Sequence, residues 1–355
     1  PGGIPLPAGR RHPARDPSLE FVSGARVTAI LPPRPHTRSA PVLFKNLILY
    51  RLPKAFSLAA SDLEAALDRR PLQACGSFDM QTRGFVACGY EQRTLYTQGH
   101  QHLLCLGVEQ KLLPASIINQ VAKERALELE QQQGHPVGRR QMRELKARVG
   151  DELRARALTR RRMTFAWLDL PGGWLVVNTA SNSRAEELVE TLRDALGTLP
   201  VTPFDTQHAP AGSMAAWLTH GDAPGRFMLG EDLELSAIDG NGATIRYARH
   251  PLETAEVRNH LASGKSPTRL GLTWNGRISF MLHQNLHVKR VQFLDVYKDD
   301  NGKGENPHEQ FDIDFALMTG ELRQLLEELT AILGGEQVGD TKKPDQKAPP
   351  EKQAA

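Results

Sequence analysis

The stretch RLGLTWNGRISFMLH (residues 269–283) reads as two strands, Arg269–Trp274 and Arg277–His283, joined at Asn275 and Gly276. Asn-Gly between apolar runs is the strongest short hairpin signal in the chain, because the favoured hairpin turns need positive φ at their central residues. Val288–Leu294 continues this into a meander, and Gly242–Ala248 supplies a further strand before it. Thr254–Ser263 has the spacing of a short helix between strands. Thr319–Leu333 reads as an amphipathic helix on Leu322, Leu325, Leu326, Leu329 and Leu333.

Upstream the pattern alternates. Leu43–Leu52 reads as a strand, and Ser61 with Glu64 forms a capping box for a helix through Leu63, Ala66 and Leu67. Gln101–Val108 reads as a strand. Pro114 opens a helix whose stripe is Ile117, Ile118, Val121 and Leu127 and whose end is Gly134. A second helix carries a run of arginines. Met163–Asp169 and Trp174–Thr179 form a hairpin across Pro171, Gly172 and Gly173; Ser183 and Glu186 make another capping box, and Gly197 closes that helix. Strands and helices lack the regular alternation of a doubly wound sheet, so the fold class expected is α+β, with mixed sheets and flanking helices.

The chain has 355 residues, 40% hydrophobic and 24% charged, enough for about two domains, and no apolar run approaches a membrane span. Residues 1–41 hold nine prolines and six arginines without periodicity and are expected to be a disordered extension. Residues 336–355, rich in Lys, Pro, Gln and Ala, read as a disordered tail, leaving 42–335 as the folded region, with several subdomains. Val27–Leu31 is too short for a signal peptide and runs into Pro32 and Pro33, so a cytoplasmic location is expected. Cys75, Cys88 and Cys105 form no CxxC pair and no zinc-type cluster with histidine, consistent with a reducing compartment.

Charge is segregated. The net is only +3, yet Gly138–Arg162 holds ten Lys or Arg against Glu144, Asp151 and Glu152. Residues 245–295 hold eight cations against Glu253, Glu256 and Asp295, whereas Val296–Thr330 holds three against nine acids. Such polarity suits a polyanion on one surface, or an acidic stretch of one subunit meeting a basic stretch of another. Arginine's planar fork fits phosphate oxygens. The phosphate-contact candidates are Arg154, Arg156, Arg160, Arg161, Arg162, Arg246, Arg249, Lys289 and Arg290. The bland reading of each is surface solubility. Aromatic residues are 6%, too few to lean on base stacking, and no base-reading motif is visible, so binding independent of sequence is expected.

Catalytic motifs fail on context. Gly264, Lys265 and Ser266 resemble the end of a P-loop, but Asn259 stands where its first glycine belongs, and a helix precedes where a strand is required. His283 and His287 lack a metalloprotease glutamate and read as surface histidines. Asp312 and Asp314 could share one side of a strand, but no third ligand accompanies them. Asp299, Asp300, Asn301, Gly302 and Glu305 lack EF-hand spacing. No cofactor, metal or enzymatic activity is expected.

The ordered motifs resemble the RdgC family of recombination-associated proteins. They are Phe44, Lys45, Asn46, Leu47, Tyr50 and Arg51; Cys75, Gly76, Ser77, Asp79 and Met80; Lys111, Leu113 and Pro114; Trp167 and Asp169; and Gly197, Leu199, Pro200 and Val201. They continue through Leu270, Leu272, Trp274, Arg277, Ile278 and Phe280, and end in Asp312, Asp314, Phe315, Leu317, Met318, Thr319, Gly320, Glu321 and Leu322. The resemblance covers about residues 42–336. It implies a non-enzymatic, nucleoid-associated protein whose horseshoe-shaped subunits pair into a homodimeric ring around duplex DNA and limit RecA-dependent recombination. Single-stranded DNA is a second expected partner. A scaffold for recombination or replication proteins is the alternative, and a metal-dependent nuclease at Asp312 and Asp314 a third reading. The family pattern begins at Phe44, which places the expected native start near Val42, and Leu158 stands where an aromatic residue is expected.

Overall fold

The structure is a computed structural model that describes residues 43–90, 92–238, 242–294 and 306–337. The extension over 1–41, the acidic loop at Asp299–Glu305 and the expected tail from residue 338 onward lie outside the described residues, whereas Glu336, expected to belong to that tail, is ordered: it pairs with Arg51 at 2.9 Å and bridges to Thr206. The first half of the fold runs β1 (Asn46–Arg51), α1 (Ala60–Asp68), β2 (Gln81–Val86), β3 (Leu95–Gln98), β4 (Gln101–Lys111), α2 (Ala115–Gln133) and α3 (Arg139–Arg156). It continues with β5 (Thr159–Asp169), β6 (Trp174–Asn178), α4 (Asn182–Leu196) and β7 (Thr202–Pro203). The second half runs α5 (Pro210–His220), β8 (Phe227–Ala237), β9 (Thr244–Tyr247), α6 (Ala255–Ala262), β10 (Lys265–Trp274), β11 (Ile278–His283), β12 (Val288–Phe293) and α7 (Pro307–Ile332).

The fold is α+β, but the mixed sheets expected from the sequence are one antiparallel sheet, ordered β2-β4-β5-β6-β1-β12-β11-β10-β8-β9, with β3 on β4 and β7 on β1. The physical reason lies at one seam. β12 returns to β1 with Asn46 opposite Lys289 and Leu47 opposite Val288, so two local meanders become one sheet through a pairing distant in sequence. The opening hairpin forms as read: Asn275 and Gly276 sit at φ 50° and 63°, and Arg277 N–H donates to the Trp274 carbonyl at 2.9 Å.

One face of the sheet is apolar along its length. Leu47, Leu103, Trp167, Val176, Leu233, Leu270, Leu282 and Val288 pack there with Phe315, Leu322, Leu325 and Leu329 of α7. Removing most of one such buried leucine costs about 2–5 kcal/mol, through lost transfer energy and the cavity left behind. The opposite face is apolar in the first half only, where Ile48, Tyr50, Leu104, Leu106, Ala166, Leu168, Leu175 and Val177 lie under Leu63 and Leu67 of α1 and Leu188 and Leu192 of α4. Gly84 marks how tightly β2 meets the preceding chain, since a Cβ there would lie 2.4 Å from Leu72 N and 2.5 Å from the Pro71 carbonyl.

Several local expectations are corrected. The two capping boxes do not form: α1 starts after Ala59 and α4 after Ser181 without side-chain caps, while Glu64 pairs with Arg93 and Glu186 accepts from the Tyr50 hydroxyl at 2.7 Å. Tertiary partners outcompete a local bond. α2 ends at Gly134 in the left-handed region, as read, but Ile117 and Leu127 are exposed and its buried residues are Ala122 and Ala126. These small residues face α3, whose own buried positions are Val149 and Gly150. The last helix begins at Pro307, twelve residues before Thr319, with Asn306 accepting from His308 and Glu309 N–H groups at 3.0 and 2.9 Å.

Candidate nucleic-acid interface

In an antiparallel sheet, residues directly opposite each other point to the same face. Arg246 opposes Glu234, Glu234 opposes Arg269, and Arg269 opposes His283, a transverse row across β9, β8, β10 and β11. Lys289 opposes both Met281 and Asn46, which carries the same face onto β12 and β1. The next row, Tyr247, Leu233, Leu270, Leu282 and Val288, is the apolar one and faces α7. The charged row therefore lies on the face that α1 and α4 cover in the first half of the sheet and that no helix of the described residues covers in the second.

Glu234 organises this open surface. Its carboxylate accepts from Arg246 Nε at 2.6 Å and the Thr268 hydroxyl at 2.9 Å, and lies 3.3 Å from Arg269 Nη1. Burial opposes its charge, yet the hydrogen bonds from Thr268 and Arg246 and the charges of Arg269 and Arg246 hold it below the usual carboxylate range. His283 is half-buried beside this cluster. Burial first, then the charges of Lys289 and Arg269, push it down to about 4. His287 is lowered by burial and by Lys289. Both rings are half-buried within a cationic surface. The hairpin bend puts them there, with His283 N–H donating to the His287 carbonyl at 3.0 Å.

The nine candidate cations divide. Arg249 and Arg290, exposed at φ 52° and 54°, and Lys289 have no acidic partner among the described residues; Lys289 and Arg290 stand on β12, and Arg249 lies in the bend that follows β9. Arg246 is held by Glu234 yet keeps 71% of its side chain exposed. The basic helix ends before Arg160, Arg161 and Arg162, which stand on β5 and not on the helix expected to carry the run, because Ala157 ends α3 in an extended conformation and the chain enters the sheet at Thr159. Arg160 is exposed, whereas Arg162 pairs with Glu187 of α4 and its buried Nε has no partner. Arg161 alternates to the other face and pairs with Glu109 at 2.8 Å. Arg154 and Arg156 lie in the last turn of α3; Arg154 pairs with Asp151 at 3.1 Å and Arg156 is exposed. The run is thus split among a helix and two sheet faces.

Two contributors were missed as contacts. Arg269 and His283 join the row only through the β10–β11 and β8–β10 registers, and no local signal sets those. The acidic stretch is partly consumed inside the subunit: Glu321 holds Arg277, Glu328 holds Arg226 and the Trp274 indole N–H at 2.8 Å, and Arg323 reaches back to buried Asp169. Asp312 and Asp314 are on helix α7 and not on a strand, and residues two apart on a helix diverge. Asp312 accepts from the Tyr96 hydroxyl at 2.5 Å and Asp314 from Gln310 at 2.6 Å. Among the described residues, no group of three His, Cys, Asp or Glu side chains is placed to hold a metal ion. No helix among them is long and apolar enough to cross a membrane.

Residues 42–336 match the family model described as "Putative exonuclease, RdgC". The chain is 46% identical over 299 residues to the Recombination-associated protein RdgC of Dechloromonas aromatica, an alignment covering 83% of this chain and 98% of that protein. It is 43% identical over 294 residues to the protein of the same name from a Janthinobacterium species, covering 82% and 98%. With that of Burkholderia cenocepacia it shares 43% over 302 residues, covering 85% and 98%.

Proposed function

From membership of the RdgC family, to which this chain belongs and whose curated relatives are recombination-associated, we propose that it binds duplex DNA without reading its sequence. It does so as a homodimeric ring that restrains RecA-dependent recombination at the nucleoid, in the cytoplasm. The observation that carries the reading is the uncovered half of the sheet, where Arg246, Arg269 and Lys289 share one face, Arg290 follows Lys289 on β12, and Glu234 is the acid in the same transverse row. Such a surface gains affinity by releasing condensed counterions from phosphate, and no helix among the described residues lies on it to enter a groove and reach base edges. Encirclement adds retention without base contacts. Arg156 and Arg160, both exposed, add cations from the first half. Single strands would be held on the same surface through their phosphates.

A second reading, a scaffold for recombination proteins, is favoured by Phe78, Leu127 and Leu158, which are large, apolar and exposed. One experiment separates the readings: anisotropy with linear and closed circular duplex across a salt series, with magnesium present and the DNA run on a gel afterwards. The ring predicts a steep salt response, no sequence preference and slower loss from circles than from linear ends. Weak binding to both forms supports the scaffold, and shortened DNA supports an exonuclease.

A further inference from the structure

The open sheet face carries two histidines that phosphate binding by Arg and Lys leaves unused. His283 sits opposite Arg269 and shares its surface with Lys289. His287 lies across the β11–β12 bend, with Asn285 Nδ2 3.2 Å from its Nδ1. We propose that His283 and His287 are phosphate ligands of this face that gain a proton as DNA arrives, so that DNA binding by this chain is coupled to proton uptake. The inference rests on the reading that this face binds DNA.

The groups facing the pair come from every packed strand. Arg269 stands on β10, Lys289 on β12 and Glu234 on β8, and Arg246 on β9 acts through Glu234. His287 also borders a cavity of about 170 Å³ lined by Tyr50, Asn182 and Glu186, where the Tyr50 hydroxyl already occupies Glu186. In the free protein burial and the flanking cations disfavour an imidazolium, so both rings are neutral near pH 7. A phosphate over Arg269 and Lys289 cancels that repulsion and accepts a hydrogen bond from the charged ring. The bound-state value then lies above the free-state value, so binding tightens as pH falls through the bound-state value. Glu234, held below the usual carboxylate range, stays ionised across that window. If one ring returns on binding to its ordinary value of about 6.5, affinity rises about tenfold between about pH 8 and about pH 5.5.

The test uses the full chain and a short labelled duplex at constant ionic strength, with anisotropy read from about pH 8 down to about pH 5.5. The wild type should tighten about tenfold or more, while H283Q/H287Q, its fold checked by thermal unfolding, loses most of that pH response whatever its affinity near pH 8. Calorimetry near pH 6 in buffers of different ionisation enthalpy should find roughly one proton taken up per DNA-binding site by the wild type. A pH response equal in both proteins, or no net proton uptake, overturns the inference. Salt-dependent binding with a flat pH profile rejects the proton coupling alone; no binding at any pH rejects the DNA reading with it.

Discussion

Glu234 is the acid whose removal should strengthen DNA binding. The Glu234→Gln change leaves an amide of the same shape, whose carbonyl oxygen can still accept from Thr268 or Arg246, but it removes the one full charge lying 2.6 Å from Arg246 and 3.3 Å from Arg269. Because Arg246 is mostly exposed, losing its ion pair should cost no more than about 1 kcal/mol of stability. One guanidinium freed to meet phosphate adds one contact. The slope of log affinity against log salt should then steepen by about 0.9, with a gain of about tenfold at low salt that fades as salt approaches about 1 M. Anisotropy with one duplex across the salt series measures both quantities, and thermal unfolding checks that the fold is intact. Equal slopes and equal affinities at every salt concentration would show that phosphate does not reach this row.

Two further outcomes concern the scaffold. Asp169 is fully buried and accepts from Arg323 at 2.7 and 2.6 Å, from Gln101 at 3.1 Å and from the Gly172 N–H at 3.0 Å, tying α7 to the β5–β6 turn. Asp169→Ala should destabilise by about 3 kcal/mol, the low end for a broken buried pair because Arg323 keeps part of its surface in water; a urea midpoint shift worth under about 1 kcal/mol would contradict this. Cys88 and Cys105 are buried, and burial pushes the Cys88 thiol up to about 12 and Cys105 higher, so both stay protonated and shielded near neutral pH. Native protein treated with iodoacetamide should therefore gain one adduct, at half-exposed Cys75, and three after unfolding; a native adduct at Cys88 or Cys105 would refute the burial.

The strands and helices with strong local signals were legible. The Asn275-Gly276 turn, the Gly134 and Gly197 helix ends and the leucines of α7 need only neighbours in sequence to declare themselves. The capping boxes misled because Glu64 and Glu186 find stronger partners in Arg93 and Tyr50, both distant along the chain. Asp312 and Asp314 misled because two alternating acids fit a strand as readily as the start of a helix, and Asn306 and Pro307 decide for the helix. Charge counting found the right residue types but could not tell Arg161, held by Glu109, from Arg160 beside it, which has no acidic partner among the described residues.

The chain's local chemistry was enough to determine α+β composition, the hairpins, the segregation of charge and, through its ordered motifs, the family. Register and seam were decided only by tertiary packing. The β1–β12 pairing merges two meanders into one sheet, and burial of Leu270, Leu282 and Val288 on α7 forces Arg269, His283 and Lys289 onto the opposite, open face. A side chain's face in a sheet alternates with every residue, so local spacing shows which cations share a face of one strand. Which face stays uncovered depends on helices that arrive from elsewhere in the chain.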